Sequence, residues 1–156
     1  MPAHNEDVTL GVSQSLKNDP VPELELSLRK VAELKPSEHR ARKITKKQVE
    51  RVAKSVQGLG FVQPVLVRGS EIIDGHVRVE AAKKLGIEEI PCIDVTHLNA
   101  DEVRLLRLAV NKLPERGTWD QDALQREFTY QLEIDADLSV TGFDGWEVAA
   151  ALSIGN

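Results

Sequence analysis

Cysteine is almost missing from this chain: Cys92 is the only one among 156 residues. An intrachain disulfide is therefore excluded, and so is a metal site built from several cysteines. Aromatic residues make up only 4% of the chain, so its core must be built from Val, Leu, Ile and Ala. No apolar run approaches the ~18 residues of a membrane span. No stretch has the charged, apolar and small-residue order of a secretory leader. These absences predict a cytoplasmic protein with no membrane partner. There is no GxxxxGK(S/T) and no GxGxxG opening a helix after a strand, which argues against a P-loop or a dinucleotide-binding turn. No acidic or histidine cluster has metal-ligand spacing.

What is present is unevenly distributed. The formal net charge is −5. From Arg29 to Lys54, however, Arg29, Lys30, Lys35, Arg40, Arg42, Lys43, Lys46, Lys47, Arg51 and Lys54 stand against Glu33, Glu38 and Glu50. After Trp119 the balance reverses, and Arg126 is the only base. A basic front and an acidic tail suggest an anionic partner for the first region, or a solvated helix face. Arg40, Arg42, Lys43, Lys47 and Arg51 are the candidates for weak, sequence-nonspecific contact with DNA phosphates.

Residues 1–23 carry no hydrophobic period and contain Pro20 and Pro22, which predicts a flexible arm. Leu24, Leu26 and Leu28 alternate with polar residues, as in a half-buried strand. Thr45 reads as an N-cap for a helix that uses Val49, Val52, Ala53 and Val56 and ends at Gly58 and Gly60. Two short strands follow, around Val65 and around Ile72, joined by Gly69-Ser70. A helix from about His76 to Leu85 stops at Gly86, and Ile90 to Val95 is a buried strand. Asn99 with Glu102 forms a capping box for a helix whose inner face is Val103, Leu106, Val110 and Leu113. Thr118-x-x-Gln121 opens another helix, with Leu124, Phe128 and Leu132 inward. A last helix covers Asp144 to Leu152. The expected organisation is an α/β (α+β) domain over 24–98, a small sheet with flanking helices, and a helical C-terminal annex over 99–156.

Chemistry concentrates at Asp74-Gly75-His76-Val77-Arg78, where a strand turns into a helix. The first turn of a helix carries free N–H groups and a partial positive charge, and it attracts anions. Gly75 lets a phosphate come close to the backbone. Arg78 can fork onto phosphate oxygens, and His76 can donate one more hydrogen bond. Asp74 could orient a hydroxyl or hold Mg²⁺, which prefers carboxylate and phosphate oxygens. The bland alternative is a simple turn with a solvated Arg78.

The surroundings are more specific. Gly60-Phe61-Val62-Gln63-Pro64-Val65-Leu66-Val67, then Ile73 to Ala82, then Leu85-Gly86 and Ile90-Pro91, resemble the N-terminal domain of the ParB/sulfiredoxin superfamily. The likeness runs over about Leu26 to Leu113. It implies a small mixed sheet and a site for a nucleoside triphosphate, CTP or ATP, with Mg²⁺. It places Gly75 and Arg78 in the phosphate turn, and Gln63 and Pro64 on the strand beside the nucleotide. Asn111 falls near the metal. The family's E-N-x-x-R pattern is broken here, with Val110 at the Glu position and Pro114 at the Arg position.

Relatives within the superfamily imply different activities. Sulfiredoxins carry a catalytic cysteine in this turn, where this chain has His76; Cys92 reads as a core residue. Free-serine kinases share the D-G-H-x-R turn and use an upstream Glu as base, a role that would fall to Glu38 in Pro36-Ser37-Glu38, with Asp74 beside the reacting hydroxyl. ParB-like segments of bacterial and phage DNA methyltransferases share Asn111-Lys112-Leu113, Gly117-Thr118-Trp119-Asp120 and Thr141-Gly142-Phe143. The methyltransferase motif (D/N/S)PP(Y/F/W) is itself absent, and no nuclease centre is evident. The resemblance thus implies a nucleotide-binding module, with or without slow hydrolysis, in DNA partition or modification. Its partners would be a nucleotide, DNA, and a partition or methyltransferase component, with a homodimer among the assemblies allowed. The alternatives are a small-molecule kinase and a non-catalytic bridging domain.

Overall fold

The computed structural model describes residues 18–40 and 42–154. The arm expected over 1–23 therefore lies mostly outside the described residues. Four strands, β1 (Leu26–Lys30), β2 (Val65–Arg68), β3 (Glu71–Asp74) and β4 (Glu89–Asp94), form one sheet in the order β1-β4-β2-β3. β2 and β4 are parallel, whereas β1 runs antiparallel to β4 and β3 antiparallel to β2. The sheet is mixed, as expected. β2 and β3 turn through Gly69, whose φ of 62° suits glycine. The step from β3 to β4 crosses through α2 (His76–Leu85).

One face of the sheet builds the main core. Val65, Val67, Ile72, Ile90 and Cys92 pack with Val79 and Ala82 of α2 and with Val31 and Leu34 of the segment after β1. Cys92 is the core residue that the sequence suggested. α1 (Lys46–Leu59) packs on α2, with Ala53 buried. Its N-terminus is a full capping box between Thr45 and Gln48. Gly58 stays inside the helix, and Gly60 ends it.

The other face is covered by α3 (Ala100–Lys112). Ile73, Val95 and Val103 form a second core, flanked by Leu66, Leu98 and Leu106. The first helix of the expected annex is thus a layer of the sheet domain. α4 (Gln121–Glu133) and α5 (Gly145–Leu152) pack on each other, and the short helical turn Leu138–Thr141 returns to α1. Phe143 lies between Phe128 and Trp119, with ring centroids 5.0 and 5.2 Å away.

Several local expectations are corrected. Leu24, Leu26 and Leu28 are exposed. β1 is an edge strand, and its register sets Leu26 beside Ile93 and Leu28 beside Pro91, away from the Ile90–Cys92 face. Alternation identified the strand correctly but could not say that this end of the second face has no cover among the described residues. Leu113 lies beyond α3 and is exposed, while Arg107, six residues before it, takes an inward position. Leu132 is also exposed. The cap of α4 is Asp120, whose side chain accepts from the Ala123 N–H at 3.0 Å, and Thr118 lies outside the helix.

Candidate phosphate site

β3 ends at Asp74, and α2 begins at His76, so Gly75 alone makes the corner. Its φ is 107°, a region that side-chain-bearing residues avoid. The space that a Cβ would take there is already filled. An added Cβ would lie 3.0 Å from Nη2 of Arg78 and 3.1 Å from Cγ2 of Val65. The glycine thus lets the Arg78 guanidinium fold back over the turn. Arg78 Nη2 donates to the Pro64 carbonyl at 3.1 Å and to Asp74 Oδ2 at 3.3 Å. Asp74 therefore holds Arg78, four residues along. Arg78 Nε is buried with no acceptor among the described residues.

His76 faces back toward the loop before α1. Its Nε2 accepts the Ser37 N–H at 3.2 Å, which leaves the ring proton to Nδ1. Burial, with Arg40 and Arg107 nearby, pushes its pKa below the ordinary 6.5, against the opposing pull of Asp74 and Glu71. The ring is therefore neutral at neutral pH, with one N–H to donate.

A cavity of about 190 Å³ opens over this turn. Asp74, Gly75, His76 and Arg78 form one wall, Arg40, Arg42 and Lys43 another, and Arg107 and Asn111 of α3 a third. Asn111 donates through Nδ2 to the Arg107 carbonyl at 2.7 Å, so its amide oxygen remains free to face a ligand. A second cleft of about 190 Å³ adjoins it, lined by Gly60, Phe61, Gln63, Val52 and Arg78. Arg78 and Val52 border both spaces.

The structure thus gathers Asp74, Gly75, His76, Arg78 and Asn111 at one place, with Gln63 and Pro64 beside them. Three of the basic residues considered for DNA, Arg40, Arg42 and Lys43, line the same cavity. The other two point elsewhere: Arg51 binds Asp144 at the start of α5 at 2.6 Å, and Lys47 reaches the same carboxylate at 3.8 Å. Glu38 does not line the cavity. It borders a separate depression with Ser70 and Glu71. Among the described residues no group of three or more His, Cys, Asp or Glu side chains could hold a metal. Any Mg²⁺ here would take oxygens mainly from a ligand.

Sequence reasoning missed Arg107. It follows Val103 by four residues and so falls on the same inward stripe of α3, a signal that was present in the spacing.

A family model of the ParB N-terminal domain matches residues 14–112. The chain belongs to the ParB N-terminal domain family. A "Probable chromosome-partitioning protein ParB" of Vibrio cholerae is 36% identical over 97 residues, 58% of this chain and 32% of that protein. The chain thus matches about a third of the length of that relative. The "ParB-like nuclease domain-containing protein YnaK" of Escherichia coli is 35% identical over 80 residues, 51% of this chain and 92% of that protein. Among solved structures, truncated ParB from Caulobacter crescentus in complex with CTP-γ-S aligns with a TM-score of 0.69 and 17% identity, covering 82% of this chain and 77% of that one. A Pnob8-like ParB-N domain aligns at 0.50 and 18% identity, over 74% and 51% of the two chains. At these identities the structural likeness shows the fold, and ParB-type domains share it. Among the described residues, no helix is long and apolar enough to cross a membrane.

Proposed function

We propose that this ParB-type domain binds a nucleoside triphosphate, with CTP the first candidate and ATP the second. Its phosphates would sit over Gly75–Arg78 and its nucleoside in the cleft beside Gln63. The observation that carries this reading is that Arg78 forms the shared border of two adjoining spaces. Each is smaller than the ~300–1,000 Å³ typical of a ligand pocket, so an elongated ligand would span both. The cavity wall supplies cations from the loop before α1, from α2 and from α3, and the buried Arg78 Nε has an N–H to give. The Caulobacter relative, crystallised with a CTP analogue, supports CTP as the first ligand to try. Mg²⁺ would be held mainly by phosphate oxygens, with the Asn111 amide oxygen as the protein's contribution.

On this reading Arg40, Arg42 and Lys43 face the ligand's phosphates rather than DNA. Phosphoryl transfer through Glu38 is not favoured, because that carboxylate borders a different depression from the one over the turn. The names of the relatives support a setting in DNA partition, with the domain as its nucleotide-responsive part. The test is a thermal-shift series with CTP, ATP, GTP and ADP, with and without Mg²⁺, on wild type and Arg78→Ala. A ligand at 100 times its Kd stabilises by about 2.7 kcal/mol. For a domain of this size that is about 5–10 °C. The expected result is a shift with CTP that Arg78→Ala abolishes. No shift with any nucleotide at millimolar concentration would refute the assignment.

A further inference from the structure

Arg107 is the most deeply buried charged side chain among the described residues, at 3% exposure. It is also incompletely satisfied. Nη2 donates to Glu71 Oε1 at 2.8 Å, but Nε and Nη1 are buried with no acceptor among the described residues. A buried guanidinium needs its donors matched, because removing a charge from water is costly unless hydrogen bonds replace the hydration. Glu71 is a weak counterpart, since its side chain is 47% exposed and offers one bond. The unmatched edge belongs to a residue that lines the cavity over the phosphate turn. Asn111, one helical turn on, lines the same wall.

We propose that Arg107 is a second phosphate-binding residue of this site, its free guanidinium edge taking oxygens of a phosphate group other than the one held by Arg78. This rests on the nucleotide-binding reading and adds to it. Two arginines on different elements, α2 and α3, suit a ligand with at least two linked phosphates. Arg78 reads the anion at the turn, and Arg107 reads the length of the phosphate chain. The same contact ties α3 to α2 through the ligand, so a monophosphate would leave α3 unlinked.

The experiment is calorimetric titration of CTP, CMP and inorganic tripolyphosphate into wild type, Arg107→Lys and Glu71→Gln. Lysine keeps the charge but loses the fork. Arg107→Lys is expected to weaken CTP and tripolyphosphate by about tenfold or more, the scale of one charge-assisted hydrogen bond, and to leave the weak CMP binding nearly untouched. Glu71→Gln is expected to tighten CTP, because a competing carboxylate is removed. If Arg107 only braces Glu71, both substitutions weaken every ligand alike or change nothing, and the proposal is overturned. Should Arg107→Lys fail to fold, the wild-type Arg107 Nε–H resonance, assigned through its couplings along its own side chain to the Arg107 backbone, is followed during tripolyphosphate addition. Movement supports the contact, and a stationary signal overturns it. Wild type that binds CTP as Arg107→Lys does would sink the Arg107 assignment alone. Wild type that binds neither CTP nor tripolyphosphate would sink the nucleotide reading itself.

Discussion

Gly75 carries two constraints at once: a φ of 107° and a guanidinium packed where a side chain would go. Gly75→Ala should therefore cost about 1–3 kcal/mol, the usual penalty of a forced backbone conformation. It should also push Arg78 off the Pro64 carbonyl, so that urea melts report the lost stability and nucleotide titration reports lost affinity. His76 gives a pH signature. Its pKa in the folded chain lies below 6.5, whereas in the unfolded chain it returns to about 6.5. Above 6.5 the ring is neutral in both states and adds no pH dependence. As pH falls from 6.5 toward the depressed folded value, the unfolded chain takes up a proton that the folded chain resists, so stability falls through that window and then levels. Protonation would also cost the bond from the Ser37 N–H. Urea melts between pH 7.5 and 5 should show the fall, and His76→Gln should flatten it.

At the scale of elements, Gly58 is the informative helix residue. Replacing an interior helix glycine with alanine normally stabilises by about 0.5–1 kcal/mol. Here a Cβ would come within 2.6 Å of Val140 Cγ1, a stiff β-branched side chain on the turn that returns to α1. Gly58→Ala should therefore destabilise, and Val140→Ala added to it should restore much of the loss in a double-mutant cycle of thermal melts. The same comparison explains what could be read in advance. The caps at Thr45 and Asn99 are chemistry within three residues, and the structure has both. The seat of Val140 over Gly58 joins residues far apart in sequence, and no local pattern announces it. The exposed leucines of β1 failed for a related reason: period 2 gives the strand, but the cover of a face depends on where other elements land.

For the whole molecule, the turn at Gly75 was legible because it is a local strand–glycine–helix unit with its arginine in the first turn. Its surroundings were only partly legible. The basic stretch read as one feature divides in space, with Arg40, Arg42 and Lys43 at the cavity and Lys47 and Arg51 at Asp144. Asp144 is therefore a latch between the first helix and the last, and its own N–H donates to Glu147 Oε2 at the start of α5. Asp144→Ala should lose about 1 kcal/mol or less with its ion pairs to Arg51 and Lys47, with faster amide exchange in α5 than in the sheet. The single thiol has a practical consequence of its own. Cys92 is fully buried in the sheet core, and burial raises its pKa, so it holds little thiolate. The native chain is thus nearly silent to thiol reagents, and one cysteine placed at an exposed position such as Leu113 would take a fluorescent label alone. Such a singly labelled protein offers a direct optical reading of whether the end of α3 moves when the cavity fills.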